Sequence, residues 1–309
     1  MGFSTAVSEL ALVLFTTLAP AGAIATIIMA IEIIRLPLDH PAHYQLDIWL
    51  WVPLAATMVG LIAASAHLGN PSNALYTVLG FGSSPLSNEV VAAVIFLAIY
   101  GFYWLYAFAK NPNRSLQRVW LVVIIVFALL FIYELSAAYS AETIITWNTV
   151  FSPATIILMA IVAGSILALL AMFGAWARDK RTHLSRTLCK VLLGVSVVSF
   201  VLSVICHVMV GLSLANISNS LFSATELVPG YWIMLVAYVV LMLIAIIFSA
   251  YVHLGYVDRV IENKIAVTAA AIRRCFVMGL SAYLLASVGV FIMRFAFYMM
   301  HMTVGLSAL

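Results

Sequence analysis

Five ionisable residues interrupt stretches of sequence that are otherwise almost wholly apolar: His67, Glu89, Glu134, His207 and Arg294. A charge among apolar side chains is costly unless paired or wetted, so groups in such places tend to mark function. A histidine and a half-buried carboxylate have proton affinities that their surroundings can tune, and proton transfer is the chemistry such a pair can perform. Two histidines on different helices could instead ligate a haem, with His67 and His207 as the pair of matching depth. Arg294 and Glu134 could form a structural ion pair, and His207 could be hydrogen-bonded inside a helix bundle. Glu89 has a plain reading too. It follows Ser84-Pro85, a plausible N-cap and first helical residue, where a carboxylate suits the helix dipole. His67 closes an apolar run, where partial positive charge is favoured for the same reason.

The elements that must hold these residues are membrane helices. Of 309 residues 65% are hydrophobic and only 8% charged, against roughly a quarter charged in an ordinary soluble domain. That balance excludes a soluble enzyme, a disordered chain and a nucleic-acid binder with a basic face. Apolar windows of about 20 residues can cross a bilayer as helices. Eight are present, with cores at Ser8–Ile34, Leu46–His67, Leu86–Ala109, Arg118–Tyr139, Ser152–Trp176, Leu188–Leu214, Pro229–Tyr256 and Cys275–Met302. They are too long for barrel strands and show no two-residue alternation. Breaks such as Leu36-Pro37, Gly69-Asn70-Pro71, Asn111-Pro112-Asn113 and Ser152-Pro153 separate them. The expected fold is all-α, a single integral membrane domain over residues 1–309 with spans 1–4 and 5–8 in one eight-helix bundle. The first basic residue, Arg35, follows the first apolar run, so no cleavable leader is expected.

Charge placement orients the bundle. All but one of the 14 Lys/Arg fall in loops 1, 3, 5 and 7 or beside them, and loops 2, 4 and 6 carry none. Basic residues stay on the cytoplasmic side, which predicts both termini outside. His67, Glu89, Glu134, His207 and Arg294 then all lie in the outer half, at similar depth. Glu32 and Arg35 lie three apart at the inner end of span 1 and read as an interfacial pair. His40, His43, His183, His253 and His301 sit near interfaces. Loops 2 (residues 67–85) and 6 (residues 214–229) are rich in Ser, Asn and Gly, and Glu142 and Glu226 are the charges found between these spans. That surface suits a docked partner, and ordinary membrane loops share its composition.

Span 2 runs into span 3 as His67-Leu-Gly-Asn-Pro71, Ala74-Leu-Tyr76 and Gly82-Ser-Ser-Pro-Leu-Ser87-Asn88-Glu89. This combination resembles the membrane-anchor subunit of the dimethyl sulfoxide reductase family, a quinol-oxidising anchor of the polysulfide-reductase type. The opening Ser8-Glu9-Leu-Ala-Leu-Val-Leu-Phe15, its Thr-Leu-Ala-Pro-Ala-Gly22 continuation and the closing Arg294-Phe-Ala-Phe-Tyr298 share the resemblance. From about 103 to 285 it rests on hydropathy and loop charge, and no residue is carried over there. The resemblance implies an eight-span subunit of the bacterial inner membrane with both termini outside. It implies oxidation of menaquinol, electrons passed to an iron–sulfur subunit and then to a molybdopterin catalytic subunit that reduces a sulfoxide or N-oxide, and no haem. On the family pattern His67 and Glu89 act in quinol binding and oxidation.

The chemistry of the residues agrees with that implication. Quinol oxidation removes two electrons and two protons, so the ring hydroxyls need proton acceptors beside an apolar slot. Tyr76, Ser87 and Asn88 offer hydrogen bonds next to the pair, and Arg294 is a candidate to set the charge state of Glu89 or Glu134, or to hold the ring anion. Cys189, Cys206 and Cys275 stand far apart and cannot supply the four thiolates of an iron–sulfur cluster, so electrons must leave to a partner. A haem-b cytochrome is the first alternative. A secondary transporter is the second, although the two halves show no internal match and the polar cluster lies to one side of the midplane.

Overall fold

A computed structural model describes residues 2–67, 78–179, 185–219, 223–261 and 268–303, apart from the side chains of residues 67, 258 and 261. Eight helices among them are long and apolar enough to span a membrane. They are α1 (Leu10–Arg35), α2 (Ala42–Ala66), α3 (Pro85–Tyr106), α4 (Arg114–Ala138), α5 (Phe151–Arg178), α6 (Arg186–Ser213), α7 (Tyr231–Ala250) and α8 (Ala269–Met299). The all-α reading and the eight spans hold. Several helices start earlier than their apolar cores because their caps lie further out. Asn113, Ser185 and Thr268 accept from the backbone N–H of Leu116, Leu188 and Ala271, so α4, α6 and α8 take basic residues into their first two turns. The α2 span consists of Ala42–Trp49 and Trp51–His67. Pro53 accounts for the break, since its nitrogen cannot donate to the carbonyl of Trp49 and its ring crowds that carbonyl. The α7 span ends in a π-helical turn, Tyr251–Val257.

Two helices form the centre. The apolar window of α5 is 83% buried and that of α1 67%, while those of the other six are at most 39% buried. Both are rich in Ala and Gly, which lets backbones approach where apolar burial alone gives no driving force. A Cβ added at Gly164 of α5 would come within 2.7 Å of the Ala21 carbonyl oxygen of α1, and one at Gly22 within 2.8 Å of the Pro53 carbonyl oxygen of α2. Helices α2, α4 and α8 pack on α1, α6 and α8 on α5, α3 on α4, and α7 on α8. Val119, Val122, Val126 and Leu129 make an exposed apolar stripe along α4, as a lipid-facing helix requires.

The two ends of the bundle differ. At the end holding loops 1 and 3, Asp47 accepts from Tyr103 Oη at 2.7 Å and from Arg114 Nη1 at 2.8 Å, and that nitrogen also donates to Gln117 at 2.6 Å. Arg118 donates to the Leu36 carbonyl, and His43 Nε2 meets the Pro37 carbonyl at 2.7 Å. This network ties α2, α3 and α4 together. The sequence pattern puts His43 and His253 near interfaces and does not single out Asp47. All three are buried, His253 inside the π turn with its ring nitrogens against the carbonyls of Ser249 and Leu169. Asp47→Ala strips a buried acid from Arg114, which is only 26% exposed. We expect a loss of about 3 kcal/mol, read as a lower unfolding midpoint of the solubilised protein; an unchanged midpoint would show that water already satisfies Arg114. At the opposite end, loop 4 wraps over the close of α8. Thr146 donates to the Met300 carbonyl, Ile145 N–H to Met302, and the Trp147 indole to Phe297 at 3.0 Å. The helix Gly2–Ser8 packs against α8 at this same end.

Candidate functional site

Glu89 stands two residues after Ser87 on the first turns of α3 and points inward. It is 1% exposed, and among the described residues neither carboxylate oxygen finds a hydrogen-bond donor. A carboxylate placed there for the helix dipole would meet the free N–H groups of the first turn. This one faces a cavity instead. The cavity measures about 400 Å³ and is lined by Leu12 and Phe15 of α1, Leu61 and Ala64 of α2, Val90 and Leu97 of α3, and Tyr139. Its rim residues Met58, Ile62, Leu86 and Val94 are exposed on the outer surface of the bundle, so it opens sideways, where lipid tails would lie. An apolar slot of this size with one or two polar groups at its end fits a ring-and-tail molecule.

Behind Glu89 lies Arg294, also 1% exposed. Its Nε donates to Thr16 Oγ1 at 2.9 Å, across 278 residues of sequence. Its guanidinium lies 4.2 Å from the ring centre of Phe297, 5.1 Å from Tyr139 and 5.4 Å from Tyr298. Those contacts are cation–π in geometry, but among the described residues Nη1 and Nη2 have no hydrogen-bond partner, and neither do the hydroxyls of Tyr139 and Tyr298. Buried polar atoms are nearly always paired in native proteins. A cluster of unpaired ones, contributed by α3, the end of α4 and α8, therefore marks a place shaped for something other than stability. Arg294 and Glu89 lie within Coulombic reach of each other. Arg294 does not pair with Glu134, which is half-buried on α4 and does not line the cavity.

The structure brings together only some of the residues singled out in the sequence. Glu89 and Tyr139 line one cavity, and the Arg294 guanidinium lies over the Tyr139 ring. Ser87 and Asn88 face the preceding turn: Asn88 Oδ1 accepts from the Gly82 N–H at 2.7 Å, and Ser87 packs beneath Gly80. Gly82 itself has φ +82°, a conformation open to glycine, so Asn88 fixes the turn that leads into α3. His67 ends the helical segment Trp51–His67, directly after α2 as bounded above; its side chain, and all of Tyr76, lie outside the described residues. His207 is buried on α6, with Nδ1 2.7 Å from the Ser203 carbonyl. The space it faces is a chamber of about 10 Å³, the room needed by one water and too small for a porphyrin. Thr16, Tyr139 and Tyr298 belong to the site without having been singled out in the sequence. Tyr298 was legible there, since Arg294, Phe297 and Tyr298 have the i, i+3, i+4 spacing of one helix face.

The family model of the DMSO reductase anchor subunit (DmsC) matches residues 3–280. The protein is 29% identical over 308 residues to the C subunit of anaerobic dimethyl sulfoxide reductase of Escherichia coli K12, covering 97% of each protein. It is 29% identical over 304 residues to the subunit of the same name from Haemophilus influenzae, covering 98% of this protein and 99% of that one. A third relative, the YnfH subunit of anaerobic dimethyl sulfoxide reductase of Escherichia coli K12, is 31% identical over 183 residues, or 59% of this protein and 61% of its own length. With eight apolar helices of spanning length and this match over nearly its whole length, the protein is a multi-pass protein of the bacterial inner membrane and belongs to the DMSO reductase anchor subunit family.

Proposed function

We propose that this protein oxidises menaquinol at the Glu89 cavity and passes the electrons to an iron–sulfur subunit, which feeds a molybdopterin subunit reducing a sulfoxide or N-oxide. The observation that carries the reading is the Glu89 carboxylate: buried, without a hydrogen-bond donor among the described residues, and set in the wall of an apolar cavity open towards lipid. A quinol reaches such a cavity sideways from the bilayer, tail along α2 and α3, with its ring hydroxyl against the carboxylate. Glu89 takes the proton as the electrons leave, and His67, at the end of α2, holds the other ring oxygen. With loops 1, 3, 5 and 7 cytoplasmic, the cavity lies in the outer half of the membrane. The partner then docks on the nearly uncharged face of loops 2, 4 and 6.

Filling the slot tests this without touching the acid. Ala64→Phe places a ring inside the cavity, so a naphthoquinol analogue should bind at least about tenfold more weakly, roughly 1.4 kcal/mol. An artificial donor that reduces the catalytic subunit directly should support undiminished turnover. Unchanged analogue affinity in the Ala64→Phe complex would move the quinol elsewhere.

A further inference from the structure

Arg294 also borders a second, polar space, whose lining does not include Glu89. Its wall includes Arg294 together with Thr146 in loop 4, Ser152 and Thr155 of α5, His207 of α6 and Tyr231 of α7. The direction of the hydrogen bonds decides what this chamber presents. Thr155 donates to the Ser152 carbonyl at 2.9 Å, Tyr231 to the His207 carbonyl at 2.7 Å, and Thr146 to the Met300 carbonyl. With their protons committed to carbonyls, these three oxygens turn lone pairs inward. His207 Nδ1 stands 2.7 Å from the Ser203 carbonyl, which can only accept. A neutral His207 therefore carries its proton on Nδ1 and offers Nε2 as a base. Arg294 shares this wall, and its Nη1 and Nη2 have no hydrogen-bond partner among the described residues. At about 10 Å³ the chamber has room for a single water. Tyr139, in the wall of the Glu89 cavity, and Tyr298 lie edge to face at 5.9 Å, and the guanidinium of Arg294, which borders this chamber, lies over both rings. Outward, Ser152 Oγ lies 3.1 Å from Thr149 Oγ1, a pair in which either oxygen can donate, and Thr149 is half-buried in loop 4 beside exposed Asn148.

We propose that this chamber is the proton outlet of the quinol site, with His207 as its relay base. The proposal rests on the quinol reading above. Oxidation of one quinol breaks two O–H bonds; the two electrons leave to the oxidised iron–sulfur partner, and the protons leave Glu89 in turn. Each passes the tyrosine hydroxyls to the chamber water, then to His207 Nε2. It goes on through Ser152 and Thr149 to the loop 4 surface, leaving His207 neutral again. Arg294 lines the chamber together with His207, and its charge opposes any proton resting beside it.

The test uses the assembled complex in membranes, a short-chain naphthoquinol as donor and an artificial donor as the assembly control. His207→Leu should bind the naphthoquinol within about twofold of the parent. Its quinol-driven kcat should fall roughly tenfold or more, and the solvent deuterium isotope effect on kcat should rise, because proton release then limits turnover. Thr155→Val, which keeps the shape and removes one acceptor, should move both in the same direction. An unchanged kcat and isotope effect in His207→Leu would overturn the relay. A loss of naphthoquinol binding matching the loss of kcat would overturn it too, making the chamber part of the quinol pocket. If His207→Leu does not assemble, Thr155→Val and Ser152→Ala decide, and normal kcat in both overturns the proposal. The quinol reading is judged separately: it fails if Glu89→Gln turns over normally, whatever His207 variants do.

Discussion

A Glu89→Gln complex is expected to assemble, to reduce its terminal acceptor at the parental rate from an artificial donor, and to lose quinol-driven turnover by at least about tenfold. General-base assistance is typically worth about 10²–10⁴ in rate, and glutamine keeps the shape of the side chain while removing the proton acceptor. Assembly should survive because neither Glu89 oxygen holds a hydrogen bond, among the described residues, that the substitution could break. Removing a buried carboxylate is in that respect a relief, since an ionised group in an apolar cavity is costly. Glu32→Gln is the matched control, a carboxylate near the loop 1 end of α1 and a full helix length from the cavity; its quinol turnover should stay near parental. Normal quinol turnover in an assembled Glu89→Gln complex would defeat the proton-acceptor role and leave Glu89 as a carboxylate serving the start of α3.

How far this site was legible follows from the length scale of each signal. Spans are long and redundant, so hydropathy and the basic loops found all eight. Their ends depend on single caps, and Asn113, Ser185 and Thr268 move the starts of α4, α6 and α8 outward. Glu89 and Arg294 stand out because a charge inside an apolar run is rare. Asp47, inside the second apolar run, carries the same signal more faintly because it sits near the end of that run; its partners Tyr103 and Arg114 are 56 and 67 residues away. Tyr139 could not be found, because a tyrosine at the end of an apolar run is what an interfacial anchor looks like, and only packing puts it between the cavity and Arg294. Ser87 and Asn88 show the converse. Neighbours in sequence on a helix do not share a face, so residues next to Glu89 serve the turn before α3 while residues from α1, α4 and α8 complete its surroundings.

Arg294→Leu is expected to reduce quinol turnover as severely as Glu89→Gln and, unlike it, to destabilise the protein. Both side chains are buried in the same apolar region, and Tyr139 lies both in the wall of the Glu89 cavity and under the Arg294 guanidinium. With the guanidinium gone, an ionised Glu89 loses that counter-charge and gains no hydrogen bond in its place. Since no hydrogen bond joins the two, the loss should stay below the roughly 3–5 kcal/mol typical of breaking a contacting buried pair; proton uptake by Glu89 would relieve part of it, and would also remove it as an acceptor for quinol protons. Arg294→Lys should rescue stability only in part. A lysine keeps the charge but cannot lie flat against Phe297 and Tyr139 while donating to Thr16. The decisive variant is the double one. If the two side chains balance each other, Glu89→Gln with Arg294→Leu should be more stable than Arg294→Leu alone, with a coupling of about 0.5–3 kcal/mol in a double-mutant cycle. Thermal unfolding of the solubilised protein across the four variants measures it. Strictly additive midpoints would mean that Arg294 is held by its aromatic cage and Thr16 alone, and that the charge of Glu89 is balanced from elsewhere.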